Sequence, residues 1–214
     1  MKRSLKNKKV LITCGPTWVP IDTMRVISNL SSGTLGQVIA GDFAQAGAKV
    51  TLLEGPVAQP MKSKSIKILK FLFFDELAAL IKGELKKKYD VCIHTAAVSD
   101  YKVKKPKKTK LSSQLRNLRL DLVPTEKIVH LIKKCNPGLF LVTFKLEAKT
   151  TKASAINMSR SLFQKGKSDL VVANSLQEQR YSGYILDKHS KFLAHKQSRG
   201  ELSKTLVRIV GEHV

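Results

Sequence analysis

Three observations predict an α/β fold, a mostly parallel sheet in the middle of three layers with helices on both faces. Strand-like and helix-like segments alternate along almost the whole chain. The central strand candidates, "KKVLITC", "DVCIHTA", "LFLVTF" and "DLVVAN", are nearly unbroken apolar runs, as strands covered on both faces must be. Polar turns follow those strands, and an open sheet of this Rossmann-like kind holds its ligands beyond the carboxyl ends of its strands.

The first strand, Lys8 to Cys14, is closed by Gly15-Pro16-Thr17, a turn signal. Leu35, Val38, Ile39, Phe43 and Ala46 recur at helical spacing before a stop at Gly47. A second strand spans Lys49 to Leu53, and a third, "SIKILKF", alternates Ile66 and Ile68 with lysines. Asp75 is the expected N-cap of a helix with Leu77, Leu80, Ile81 and Leu85 on one face. The fourth strand, "DVCIHTA", leads through "AVSDY" into the lysine-dense loop "KVKKPKKTK". Alternation in "LRLDLV" predicts a half-exposed strand. A helix opening at Thr125 ends at Asn136-Pro137-Gly138. The strand Leu139 to Phe144, a helix over "KASAINMSRSLFQKG", the strand "DLVVAN", a hairpin in "YSGYILDKHSKFLAH" and a helix from about Glu201 to Val210 follow. No linker or repeat interrupts the order, so residues 1–214 read as a single domain with a flap at about 102–123.

Hydrophobic residues make up 43% of the chain, enough for a buried core and too many for a disordered one. No run approaches the ~18 apolar residues of a membrane span. The basic start, "MKRSLKNKKVLITC", enters a strand at once and lacks the core of a signal peptide; a soluble, cytoplasmic protein is expected, with no membrane partner. Cys14, Cys92 and Cys135 are three in number, with no CxxC spacing, and are expected to be reduced. Cys92 and His94 could begin a zinc site, but no second ligand pair completes it. The net charge of +23 attracts polyanions. Yet the basic residues are spread from Lys2 to Arg208 and aromatics are only 6%, which argues against a specific nucleic-acid surface.

The connection between the first strand and the first helix is nearly twenty residues long and includes "ISNLSSGTLG". Ser31, Ser32 and Gly33 immediately precede the helix, so their amides and hydroxyls face its positive end, a place for phosphate. Ordinary N-capping by Ser32 explains the same spacing. The glycines do not form GxGxxG. Asn29 offers an amide suited to steadying a carbonyl oxygen that gains charge, or to satisfying a turn. Ala96 and Ala97 would let a ligand approach the backbone, and Lys110 could meet a triphosphate from a basic flap or be part of a solvated surface.

Taken together, "LITCGPTWVPIDTMRVISNLSSGTLG", "HTAAVSDY", "KLSS", "FKLE" and "DLVVAN" resemble the phosphopantothenate–cysteine ligase (phosphopantothenoylcysteine synthetase) family in order and spacing, from Val10 to Asn174. The resemblance implies a ligase of coenzyme A biosynthesis. It would join 4′-phosphopantothenate to L-cysteine through an acyl-nucleotide, using CTP or ATP with Mg2+, as a homodimer with active sites near the interface. By this resemblance Asn29 steadies the intermediate, and Ser31, Gly33 and Gly36 bind the phosphopantothenate phosphate. Gly15, Ala96, Ala97 and Asp100 lie on the nucleotide side, with Asp100 on a ribose hydroxyl or near the metal, whose ligands stay unknown. Lys110 belongs to the flap and contacts nucleotide and intermediate. Phe144 packs on the base or sugar, Asn174 sits near the same pocket, and Lys165 faces the triphosphate. Ser161 stands where many bacterial members have a second lysine, with Arg160 beside it, and "FKLE" replaces "GFAAE". The chain starts at the ligase strand, so a monofunctional enzyme needing no flavin is expected. Glu54 after the second strand keeps an NAD(P)-dependent oxidoreductase as an alternative, and the charge keeps a basic nucleic-acid-binding protein as another.

Overall fold

The computed structural model describes residues 5–178 and 180–214. In chain order the elements are β1 (Lys9–Cys14), β2 (Trp18–Pro20), β3 (Val26–Ser28), α1 (Thr34–Gln45), β4 (Lys49–Glu54), β5 (Lys67–Lys70), α2 (Phe74–Glu84) and β6 (Val91–His94). Then come β7 (Tyr101–Val103), β8 (Leu122–Pro124), α3 (Ile128–Cys135), β9 (Phe140–Glu147), α4 (Lys152–Gln164), β10 (Leu170–Gln177), β11 (Arg180–Asp187), β12 (Phe192–Lys196) and α5 (Arg199–His213).

An eight-stranded sheet runs β12-β11-β10-β9-β6-β1-β4-β5. From β5 to β10 every pairing is parallel; β11 alone runs against the others, pairing antiparallel with β10 on one side and β12 on the other. The chain leaves β1 towards β4 and β5, then crosses back to β6 on the other side. Such a reversal opens a crevice beyond the carboxyl ends of the two strands that flank it, here β1 and β6.

Side-chain alternation divides the core into layers. Val10, Ile12 and Cys14 of β1 face α1 and α5, meeting Ile39 and Phe43 from one and Leu206 and Ile209 from the other. Leu11, between them, faces the opposite layer with Leu77, Ile81, Leu131 and Ile132 from α2 and α3. A smaller cluster seats Ala155 of α4 on Ala173 and Leu186. The expected three-layer, mostly parallel architecture is what forms.

Local expectations differ at four places. The long connection after β1 contains a hairpin, β2 paired with β3, whose three-residue strands are too short for a periodicity to declare itself. Asp75 does not cap α2: Phe73 is the N-cap, and the Glu76 carboxylate turns back to accept from the amides of Leu72 at 2.7 Å and Phe73 at 3.3 Å. Of "LRLDLV" only Leu122 and Val123 pair, as part of β8 against β7. Helix α3 begins at Ile128, because the Thr125 hydroxyl donates to the Ser99 carbonyl instead of capping the helix.

Glu84, almost buried at the end of α2, accepts from Lys87, Tyr89 and Lys67 at 2.7, 2.6 and 3.0 Å. Burial alone would raise its pKa, but the bonds from Lys87, Tyr89 and Lys67 outweigh it and hold the carboxyl down at about 2. A carboxylate with a depressed folded pKa stabilises above its unfolded value and loses that contribution as pH falls through the folded one. Stability should therefore decline between about pH 4.5 and about pH 2. Glu84→Gln should flatten this limb in urea melts taken at successive pH values; an unchanged profile would rule the network out as its cause.

Candidate active site

A cleft of about 590 Å³ opens where β1 and β6 end, lined among others by Asn29, Ser31 to Gly36, His94 to Val98, Asp100, Phe144, Asn174, Tyr181 and Arg199. Its floor is the paired strands β1 and β6, which stay joined past their last ladder residues. The Ala97 amide donates to the Gly15 carbonyl at 2.9 Å and Thr17 to Ala97 at 3.3 Å, so Gly15 supports the floor without lining it.

One wall is the amino end of α1. It can stand this close only because residue 36 has no side chain: a Cβ there would lie 2.4 Å from the Cys14 Cβ and 2.5 Å from the Thr95 hydroxyl. The N-cap is Gly33, at φ 72°, and no side chain caps the helix. The expected capping by Ser32 reduces to a 3.4 Å contact with the Thr34 amide, and Ser31 makes a similar one with Gly33. The first turn thus presents amides and hydroxyls to the cleft, an arrangement that favours an anion.

Asn29 leaves β3 and crosses to the β6 side, where its amide nitrogen donates to the carbonyls of Ala97 at 3.4 Å and Val98 at 3.2 Å. This joins two segments 68 residues apart in sequence. With both amide hydrogens so engaged, the side-chain oxygen is what this conformation offers a ligand. Steadying a carbonyl oxygen requires the amide to turn away from Ala97 and Val98.

His94 forms part of the floor. The Ala96 amide donates to the Thr13 hydroxyl at 3.2 Å, and that hydroxyl lies 2.8 Å from His94 Nδ1. Giving the hydroxyl proton to Nδ1 places the ring proton on Nε2. Burial pushes the imidazole down to about 4, so it is neutral near pH 7. Cys92, two residues earlier, is buried, and among the described residues no cluster of three or more His, Cys, Asp or Glu could hold a metal ion.

Asp100 at the rim is ion-paired with Lys127 at 2.6 Å. Phe144 and Asn174 come from the ends of β9 and β10. Lys110 and Lys165 do not line the cleft: Lys110 lies exposed in the loop between β7 and β8, and Lys165 is exposed at the end of α4. Tyr181 and Arg199 are additions that sequence reasoning missed. They lie on β11 and α5, in the last forty residues, where the resemblance is only loose, and Arg199 stacks 5.7 Å over the Tyr181 ring. Glu54, which a nicotinamide-binding enzyme would need free, instead accepts from Gln37, Lys70 and the Met61 amide at 2.8, 2.8 and 3.0 Å.

A doubly wound sheet with an uncapped helix end and a polar cleft at its switch point defines a Rossmann-like domain suited to an anionic ligand. The chain belongs to the DNA/pantothenate metabolism flavoprotein C-terminal domain family, which matches residues 5–211. It is 40% identical over 175 residues to the coenzyme A biosynthesis bifunctional protein CoaBC of Thermococcus kodakarensis, covering 81% of this chain and 43% of that protein. It spans about half the length of the curated relatives it matches. The crystal structure of the DNA/pantothenate metabolism flavoprotein from Streptococcus pneumoniae superposes with a TM-score of 0.86 at 25% identity, covering 97% of this chain and 100% of that one. A Cab2 mutant in complex with phosphopantothenate-cysteine shares the fold, with a TM-score of 0.78 at 20% identity over 97% of this chain and 87% of that one.

Gly36→Ala should force α1 off β1, at a cost of about 1–3 kcal/mol as for other overpacked sites, and thermal unfolding should show it as a lowered Tm. A Tm equal to wild type would mean that the helix is not held by this contact. For His94, whose folded pKa lies below the unfolded 6.5, the unfolded chain takes up a proton first as pH drops. Stability should then fall from about pH 6.5 to about pH 4. His94→Gln should remove this limb from the same urea series, and its persistence would assign the limb to other groups.

Proposed function

We propose that this chain is a phosphopantothenate–cysteine ligase domain, joining 4′-phosphopantothenate to L-cysteine at the expense of CTP or ATP. The observation that carries the reading is the convergence of Asn29, the amino end of α1 and the Ala96-Ala97-Asp100 segment on one cleft, on the fold of a family whose relatives act in coenzyme A biosynthesis.

A carboxylate is a poor acyl electrophile because its charge resists attack. In the proposed first step the carboxylate oxygen attacks the α-phosphorus of the nucleotide and pyrophosphate leaves. The cysteine amine then attacks the acyl carbon, the nucleoside monophosphate departs with the bonding electrons of the C–O bond, and the amine loses a proton. The first turn of α1 takes a phosphate, and its amides provide fixed positive ends without reorganisation. Asn29, once released from Ala97 and Val98, has an N–H to offer the carbonyl oxygen as it gains charge. Neutral His94 contributes a hydrogen-bond donor without adding a cation to the floor. Phe144 offers an aromatic face to a base or sugar. Lys110 reaches the nucleotide when its loop closes over the cleft, and Lys165 serves the triphosphate from the end of α4.

Magnesium fits this site as a nucleotide-borne ion. It binds through one or two carboxylates plus phosphates while keeping several waters, and Asp100 and Glu126 are the cleft's carboxylates among the described residues. When bound, it would neutralise triphosphate oxygens.

A homodimer suits the exposed apolar residues beside the cleft: Met24, Val26, Ile27 and Leu30 are exposed by 70, 41, 38 and 98%. They lie on the turn of the β2–β3 hairpin, on β3 and on the stretch that carries Asn29. Among the described residues no helix is long and apolar enough to cross a membrane.

The deciding assay supplies phosphopantothenate, L-cysteine, magnesium and either CTP or ATP. Pyrophosphate should appear only with phosphopantothenate present, and its absence with both nucleotides would end the proposal. Asn29→Ala should reduce amide formation by about 10²–10³-fold, the scale of losing one oxyanion donor, while nucleotide binding measured by calorimetry changes little. Equal activity would remove Asn29 from the chemistry. Light scattering should give twice the 23.8 kDa chain mass, with Leu30→Asp shifting it to the monomer; a wild-type monomer would refute the dimer.

A further inference from the structure

We propose that Asp22 is a positioning residue that latches the root of the lysine-rich loop to the β2–β3 hairpin and so sets the anchor from which the loop brings Lys110 to the cleft. This rests on the ligase reading for its kinetic consequence, not for its structural one.

The Asp22 side chain is fully buried although it lies in a hairpin turn. Its two oxygens do different work. Oδ1 accepts from the amides of Met24 and Arg25, both at 2.8 Å, and shapes the turn itself. Oδ2 accepts from the Arg25 guanidinium at 2.8 Å and from the Leu111 amide at 3.0 Å, a partner 89 residues away in sequence. Arg25 also donates to the Leu111 carbonyl at 3.3 Å, so acid and base grip both backbone polar groups of that residue. A third tie, from the Lys107 amide to the Ile21 carbonyl at 2.9 Å, holds the loop on the other side of Lys110. The amides of Leu111 and Met24 hold the Asp22 carboxyl below the usual carboxylate range, so it stays an acceptor at neutral pH.

Lys110 is thus one residue from the latch, and Asn29 is four residues beyond Arg25, at most about 14 Å of chain. One short hairpin carries the side chain that reaches into the cleft and anchors the loop that bears the lysine. A loop of eighteen residues from Lys104 to Asp121, with no helix or strand of its own, would otherwise hold Lys110 in many places at once.

Asp22→Asn keeps the shape and one acceptor, so the turn survives, but it sets an amide against a donor that Asp22 accepted. Trypsin should cut between Lys104 and Lys110 at least about tenfold faster in this variant, the scale of a lost bond to a charged group. In the ligase assay, kcat/KM for the nucleotide should fall about tenfold in the wild-type background and stay unchanged in a Lys110→Ala background, because the two residues act through one another. Leu111→Pro, which deletes the amide donor from the loop side, should repeat both effects. Trypsin cleavage at the wild-type rate in both variants would overturn the latch. An equal loss of activity with and without Lys110 would overturn the positioning role and leave only a stabilising one. If the wild-type chain makes no amide, the ligase reading fails and the positioning role with it, while the proteolysis still decides the latch.

Discussion

The close approach of α1 to β1 governs the whole site. A helix normally stands clear of the sheet it covers, because side chains on both surfaces fill the space between them. At Gly36 that filling is missing, and the first turn of α1 settles against Cys14 and Thr95. The helix's positive end therefore lies level with the ends of β1 and β6, at the one place where the order of strands reverses. Gly33 at φ 72° lets the chain enter that turn without a capping side chain in the way. Residues from the stretch after β3 and from β6, β9, β10, β11 and α5 gather around this end.

Electrostatics within the domain follow a repeated pattern. The chain is strongly basic, yet its buried carboxylates Asp22, Glu54 and Glu84 are each met by at least one cation. In each case backbone amides or neutral side chains complete the hydrogen bonding. A buried carboxylate left without such partners would be costly. The positive excess therefore resides on the surface, where it can attract anionic ligands over the distance that salt allows.

Most of the architecture was legible in the sequence because its central strands are long apolar runs and its helices are amphipathic. The parallel order, the layers and the grouping of Asn29, Ser31, Gly33, Gly36, Ala96, Ala97, Asp100, Phe144 and Asn174 around one cleft follow from those patterns and from the motifs at the strand ends. What could not be read were contacts between distant short segments. The β2–β3 hairpin has three residues per strand, too few for alternation to show. The tie between Asp22 and Leu111 has no local signature at all, since an aspartate in a turn ordinarily serves its own neighbours. Tyr181 and Arg199 escaped because nothing in their surroundings marks them as facing the cleft. Lys110 and Lys165 illustrate the reverse: a motif located them, but their exposed positions in this structure depend on a loop and a helix end.

The sheet also ends in a way that bears on its contacts with other strands. Strand β5 is an outer strand of only four residues, and lysines stand at both of its ends. Lys67 and Lys70 are each tethered to a buried acid, Glu84 and Glu54, on the strand's flanks. Two fixed charges on so short a rim leave little unpaired backbone for a foreign strand to recognise. The same bonds that neutralise acids inside the domain thus act outside it as a guard against fibrous self-association.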